Sequence, residues 1–197
     1  EPFFFNHAKE KNANNPYALI MKYFVICGTL MLLFIIGFID VFKALIVRDE
    51  AYWVALEIVP IVLLANLFLG IYFNLAIWYK LTDKTRFGMY FSIVGAVITI
   101  ALNVILLPKY GFIAAAWTTL VAYSIMMITS YVYGQKHYKI PYQVSRILGY
   151  IGFAIALSYV SFKYLRGNYF FNVALMLIFI AGIALFERKE LKQLLRR

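Results

Sequence analysis

Charge, cysteine and histidine are all scarce in this chain of 197 residues, of which only 14% are charged. A soluble domain is about a quarter charged, so an ordinary water-soluble fold is excluded. The single cysteine, Cys27, sits in an apolar run, which excludes a disulfide-stapled fold. With only His7 and His137 beside it, no histidine-rich metal site is expected, and no cofactor. Catalytic patterns are missing too: no Ser-His-Asp set, no HExxH, no CxxC and no glycine-rich loop leading into Lys-Ser or Lys-Thr. Asp40, Asp49 and Glu50 form no DxD pair. An enzyme is not expected. Residues 1–16 lack a basic segment followed by an apolar one, so no signal peptide is read there.

What the chain has is hydrocarbon. Hydrophobic residues make up 64% of it and aromatics 19%, and mean hydropathy is +0.79. Disorder is incompatible with that content. Crossing a bilayer core takes about 20 mostly apolar residues per helix. Stretches free of Asp, Glu, Lys and Arg cover 23–39, 58–79, 87–108, 110–135, 147–162 and 167–186. The predicted fold is an all-α integral membrane protein with six transmembrane helices. The alternating ten-residue strands of a β-barrel are missing.

Turn chemistry separates the spans. Asn15-Pro16 suits the start of span one. Pro108 to Gly111 forms a tight break between spans three and four, and Gly167-Asn168 separates five and six. Tyr52, Trp53, Trp78, Tyr79, Tyr110, Tyr164 and Tyr169 fall where an aromatic belt would. Six crossings put fourteen of the nineteen Lys and Arg on the side of both termini; Lys43, Arg48, Lys109, Lys163 and Arg166 lie opposite. Under the positive-inside rule both termini are cytoplasmic. The net charge of +10 therefore reports topology, not nucleic-acid binding. The tail from Glu187 to Arg197 reads as a solvated stop-transfer segment, with the anionic leaflet as its alternative seat.

Several residues stand out inside the spans. Gly88, Ser92, Gly95, Ala96, Thr99 and Asn103 share one face of span three, with Phe87, Phe91, Val94, Ile98 and Leu102 opposite. The small face meets a helix or a wet cavity; the bulky face meets lipid. Asn66, Gly70 and Asn74 form a stripe on span two that must face protein or water. Lys22, well inside span one, either snorkels to the headgroups, the preferred reading, or meets an anionic group in a cavity. Glu57 precedes Pro60, where a kink is expected, and is either a proton or cation site or an interfacial acid.

The run Asn103-Val-Ile-Leu-Leu-Pro-Lys-Tyr-Gly-Phe-Ile-Ala-Ala-Ala116 carries Asn, then Pro-x-x-Gly, then a small-residue triplet across two helices. With Gly70-Ile-Tyr-Phe-Asn-Leu-Ala-Ile-Trp-Tyr-Lys-Leu-Thr-Asp-Lys-Thr85 and the opening Glu1-Pro-Phe-Phe-Phe5, it resembles polysaccharide-biosynthesis flippases of the multidrug/oligosaccharidyl-lipid/polysaccharide exporter superfamily. Asn103, Pro108, Gly111, Ala115 and Ala116 match that pattern; Ala114 stands where glycine is usual. The likeness covers 1–142 well and the last two spans loosely.

The resemblance implies the second lobe and final helix pair of a two-lobed, alternating-access transporter of twelve to fourteen helices. Its first lobe would lie upstream of Glu1, a non-methionine start that itself suggests a longer protein. The expected organisation is a cytoplasmic connection (1–16), a four-helix part (17–133), a cytoplasmic loop (134–146), a two-helix hairpin (147–186) and a basic tail (187–197). The implied activity is flipping of an undecaprenyl-pyrophosphate-linked oligosaccharide across a bacterial inner membrane. Its partners would be that lipid-linked oligosaccharide, membrane lipids, the first lobe and a polysaccharide polymerase complex. Asn66, Asn74, Thr99 and Asn103 are candidate sugar contacts, and Lys22, Lys80, Lys84 and Arg86 are cations of the cytoplasmic mouth. Pro60, Gly70, Gly95, Pro108 and Gly111 are structural positions. Rival readings are a lipid II flippase, a multidrug antiporter, or a non-transporting scaffold of a polysaccharide assembly complex.

Overall fold

The computed structural model describes residues 14–47 and 49–188, all of it helix, turn or loop. The opening Glu-Pro-Phe-Phe-Phe motif, Arg48 and residues 189–197 of the basic tail lie outside the described residues. The elements are α1 (Asn14–Gly37), α2 (Ile39–Ile46), a 3-10 helix (Glu50–Ile58), α3 (Val59–Leu75), α4 (Ile77–Leu81), α5 (Arg86–Tyr110), α6 (Phe112–His137), α7 (Val144–Tyr164) and α8 (Tyr169–Phe186). Among the described residues, six helical runs are long and apolar enough to cross a membrane: Pro16–Gly37, Glu50–Leu81, Arg86–Tyr110, Phe112–His137, Val144–Tyr164 and Tyr169–Phe186. This is an all-α, multi-pass membrane protein.

Hydropathy sets the spans, and single residues set their ends. Gly111 adopts φ 61° between α5 and α6, a region open to glycine because it has no Cβ. The break there is this one residue; Pro108 lies inside the last turn of α5 and not in a four-residue turn. Asp83, at φ 55°, reverses the chain between α4 and α5; aspartate tolerates that region better than most residues. Pro60 opens α3 instead of kinking a helix, because a proline at the first helical positions costs no backbone bond. The preceding 3-10 helix takes the place of the expected kink.

The chain forms two compact units. The first holds the start of α1 up to Val25 and residues 57–144. Here α6 packs against both α3 and α5. Ala114, Thr118, Ala122, Met126, Ser130 and Gly134 are its buried residues at every fourth position. A four-residue step drifts about 40° per repeat around a 3.6-residue helix. The stripe therefore faces α5 near Thr118 and α4 near Gly134, so one helix serves two neighbours. Most of its members are small, which lets the backbones approach.

The second unit holds residues 26–56 and 145 onward. Leu33, Ala154 and Phe179 form its core. Asn172 ties three helices together: it donates to the Gly37 carbonyl at 2.8 Å and accepts from the Ser161 hydroxyl at 2.9 Å. In this division α1 contributes to both units.

Candidate functional site

The stripes singled out in spans two and three lie in the first unit, and packing treats their members differently. Asn66 is exposed, and its amide donates to the Val62 carbonyl one turn back, at 2.9 Å. It accepts no hydrogen bond among the described residues. Asn74 is half-buried and donates to the Gly70 carbonyl at 3.0 Å. Gly70, between them, lies directly under the Phe24 ring of α1. The stripe is thus split: its centre is a helix–helix contact, and Asn66 looks outward.

On α5, Gly95 is buried under the Met126 side chain of α6. The Asn103 amide oxygen accepts from the Thr118 hydroxyl at 2.7 Å, joining α5 to α6. Thr99 is half-buried and donates to the Gly95 carbonyl at 2.9 Å. Ser92 and Ala96 are exposed beside this seam, with the Ser92 hydroxyl bonded to the Gly88 carbonyl. Small residues therefore both pack and remain open on one face. The bulky face is not uniformly turned to lipid. Phe91 is buried and Phe87 packs against the cluster that buries it, because large rings on α4 and α6 make a better partner than acyl chains.

That cluster is the feature sequence reasoning missed. Trp78, expected in an interfacial belt, is 1% exposed, and Tyr79 is buried as well. The Trp78 indole stacks on His137 (centroids 5.4 Å apart, planes 18° apart), meets Phe87 at 5.1 Å and donates to the Ser130 hydroxyl at 3.4 Å. Gly134 makes room for it. The clue was the spacing Ser130–Gly134, one turn apart on span four and facing the only large indole near that end of the unit.

The cations expected at a cytoplasmic mouth are exposed near the α4–α5 turn, with the exception of Lys22. Lys80, Lys84 and Arg86 are exposed about the α4–α5 turn, and Lys136 is exposed at the end of α6. Lys22 departs from the preferred snorkelling: it is 2% exposed, with its ammonium 5.4 Å from the Tyr23 ring centroid. Met21 and Val25, its neighbours in α1, are buried as well. Glu57 is exposed on the 3-10 helix.

The connection from α6 to α7 closes over the same end. Gln135 donates to the Ile140 carbonyl at 2.8 Å, and Ile140 packs with Tyr17 and Ile77. The gap between Trp78, Tyr131, Tyr138 and Tyr142 is too narrow for a water molecule. Burial lifts the Tyr138 phenol above its ordinary range. Burial does the same for Tyr142, with Tyr131 and Tyr138 adding to it.

In the second unit, Glu187 was expected in a solvated tail and is buried instead. It accepts from the Tyr150 hydroxyl at 2.5 Å and pairs with Arg146 at 3.5 Å. A partnered carboxylate can be enclosed where a bare one cannot. Family models, curated proteins and solved structures were all compared with this chain, and none matches it.

Proposed function

We propose that this chain is the second lobe of a bacterial inner-membrane transporter that flips an undecaprenyl-pyrophosphate-linked oligosaccharide. It would act with a first lobe of the same protein and beside a polysaccharide polymerase complex. The observation that carries the reading is Asn66: an amide inside a membrane span, exposed on its unit, with an oxygen that accepts nothing among the described residues. Against acyl chains such a group would cost several kcal/mol. Water or a polar ligand removes that cost. Exposed Ser92 and Ala96 on α5 supply a second polar or small surface in the same unit.

The chemistry suits sugars. Asn66, Asn74 and Thr99 spend their donors on their own helices and keep oxygen lone pairs for ligand hydroxyls. Asn103 spends its oxygen on Thr118 and keeps its amide donors. Lys80, Lys84, Arg86 and Lys136 would attract the pyrophosphate at the cytoplasmic mouth, with both termini cytoplasmic. The resemblance in Asn103–Ala116 points the same way.

The test uses the full-length protein in proteoliposomes with a labelled lipid-linked oligosaccharide. Movement between leaflets is read by accessibility of the labelled headgroup. Replacing Asn66 and Asn74 together by Leu removes two hydrogen bonds of about 1 kcal/mol each and should slow transport about tenfold or more. Unchanged transport at equal protein level would remove the asparagines from the cavity. No transport by the unmutated protein would remove the function.

A further inference from the structure

The segment that joins α1 to α3 has its polarity inverted. On α2, Asp40 and Lys43 lie about 60° apart on one side of the helix, while Val41, Leu45 and Ile46 spread over the other side. A helix at a water-facing surface turns its charges out. Here the charged stripe is engaged inside the second unit, to which α2 belongs. Asp40 accepts from the Arg166 guanidinium at 3.2 Å, and the Lys43 ammonium sits 3.5 Å from the Trp53 ring centroid. The apolar stripe is bare: Leu45 is 74% exposed and Ile46 73%. Tyr52 and Val54 on the 3-10 helix are exposed as well.

Length adds a second argument. The span Pro16–Gly37 has 22 residues, enough for one crossing by itself. The run Glu50–Leu81 has 32, about a dozen more than a crossing needs. Helical geometry is interrupted at Phe38, and nine residues of 3-10 helix precede α3. The surplus turns therefore fall together in sequence, between the end of α1 and the start of α3. They are fastened there: Phe38 stacks on Tyr169 at 5.7 Å with planes 2° apart, beside the Asp40–Arg166 pair.

We infer that residues 39–47 and 49–54 form a lipid-binding collar in the headgroup region of the leaflet that α1 reaches at its C-terminal end. Leu45, Ile46, Tyr52 and Val54 enter the glycerol and upper acyl layer. The tryptophan and lysine pair at the polar boundary, where amphipathic side chains are favoured. The occupant is lipid because the bare face is apolar and continuous with two membrane spans, while Asp40 and Lys43 on the other side of α2 are already engaged within the protein. The inference does not depend on the transported substrate.

The test places a nitroxide at position 45 (Leu45→Cys) in full-length protein carrying Cys27→Ser, reconstituted in phospholipid vesicles. Collisions with oxygen and with a water-soluble nickel chelate are compared, with Glu50→Cys as the aqueous reference. The collar predicts an oxygen-to-nickel ratio several-fold higher at 45 than at 50. Val54→Cys is an independent second site should Leu45→Cys fold poorly, with the same expected result. A water-like ratio at these sites overturns the inference. So does low accessibility to both reagents, which would mean that a second copy or another protein covers the face.

Discussion

A methyl group added at Gly95 meets the thioether of Met126; one added at Gly134 meets Trp78, 2.8 Å from Cδ1 and 3.0 Å from Nε1. Methionine has three rotatable bonds and can move aside. The indole cannot, because Ser130, Phe87 and His137 hold it from three directions. Gly95→Ala should therefore change stability by less than about 1 kcal/mol, since gained helix propensity offsets the contact. Gly134→Ala should cost about 1–3 kcal/mol through overpacking. Unfolding in detergent followed by far-ultraviolet circular dichroism ranks the two, and equal costs would contradict the rigidity assigned to Trp78. Asn103 and Thr118 offer a second residue-scale measurement. Interhelical hydrogen bonds in membranes are worth about 0.6 kcal/mol on average. A double-mutant cycle with Asn103→Leu and Thr118→Val should return a coupling of about that size. A coupling near zero would separate the two side chains in the membrane.

At the scale of elements, the α6–α7 connection should be sensitive to alkali. Burial raises the Tyr138 and Tyr142 phenols in the folded protein, whereas unfolded tyrosines ionise near pH 10. Below about pH 10 both states hold the proton and nothing is lost. As pH rises beyond that, the unfolded chain ionises first and folding weakens. Tyr142→Phe should therefore lose less thermal stability than the unmutated chain between about pH 8 and about pH 11. Equal losses would place the phenol in water. Span boundaries were legible beforehand because bilayer thickness imposes them through composition alone. Facing was less legible. Phe87 and Phe91 are as apolar to a ring cluster as to lipid, so periodicity could not say which they meet. Glu187 offered no clue, because its burial depends on Tyr150 and Arg146, distant in sequence. Among the candidate site residues, the small-residue seam was readable, but its division was not. Asn103 is taken up by Thr118 and Asn66 is left open, a distinction decided by neighbours on other helices.

For the whole molecule, the unequal charge acquires a mechanism from the way individual cations are placed. On the side with fewer basic residues, several are already engaged: Lys43 with Trp53, Lys163 with the Tyr159 hydroxyl, Arg166 with Asp40. On the richer side, Lys84, Arg86 and Lys136 are exposed at helix ends. A protein–lipid electrostatic bias needs charges that remain available near span ends, and these do. The orientation proposed from that bias would put the α4–α5 turn in the cytoplasm and the Gly111 and Gly167 turns outside. It can be checked with single cysteines in a Cys27→Ser background. Thr85→Cys should resist a membrane-impermeant maleimide in intact cells and react in inside-out vesicles. Asn168→Cys should do the reverse. If both positions react from the same side, an even number of crossings separates them in place of the three drawn, and the six-span count fails. If the pattern is simply inverted, the count stands. The exposed cations would then face outward, and their role at a cytoplasmic mouth would fall with the inversion.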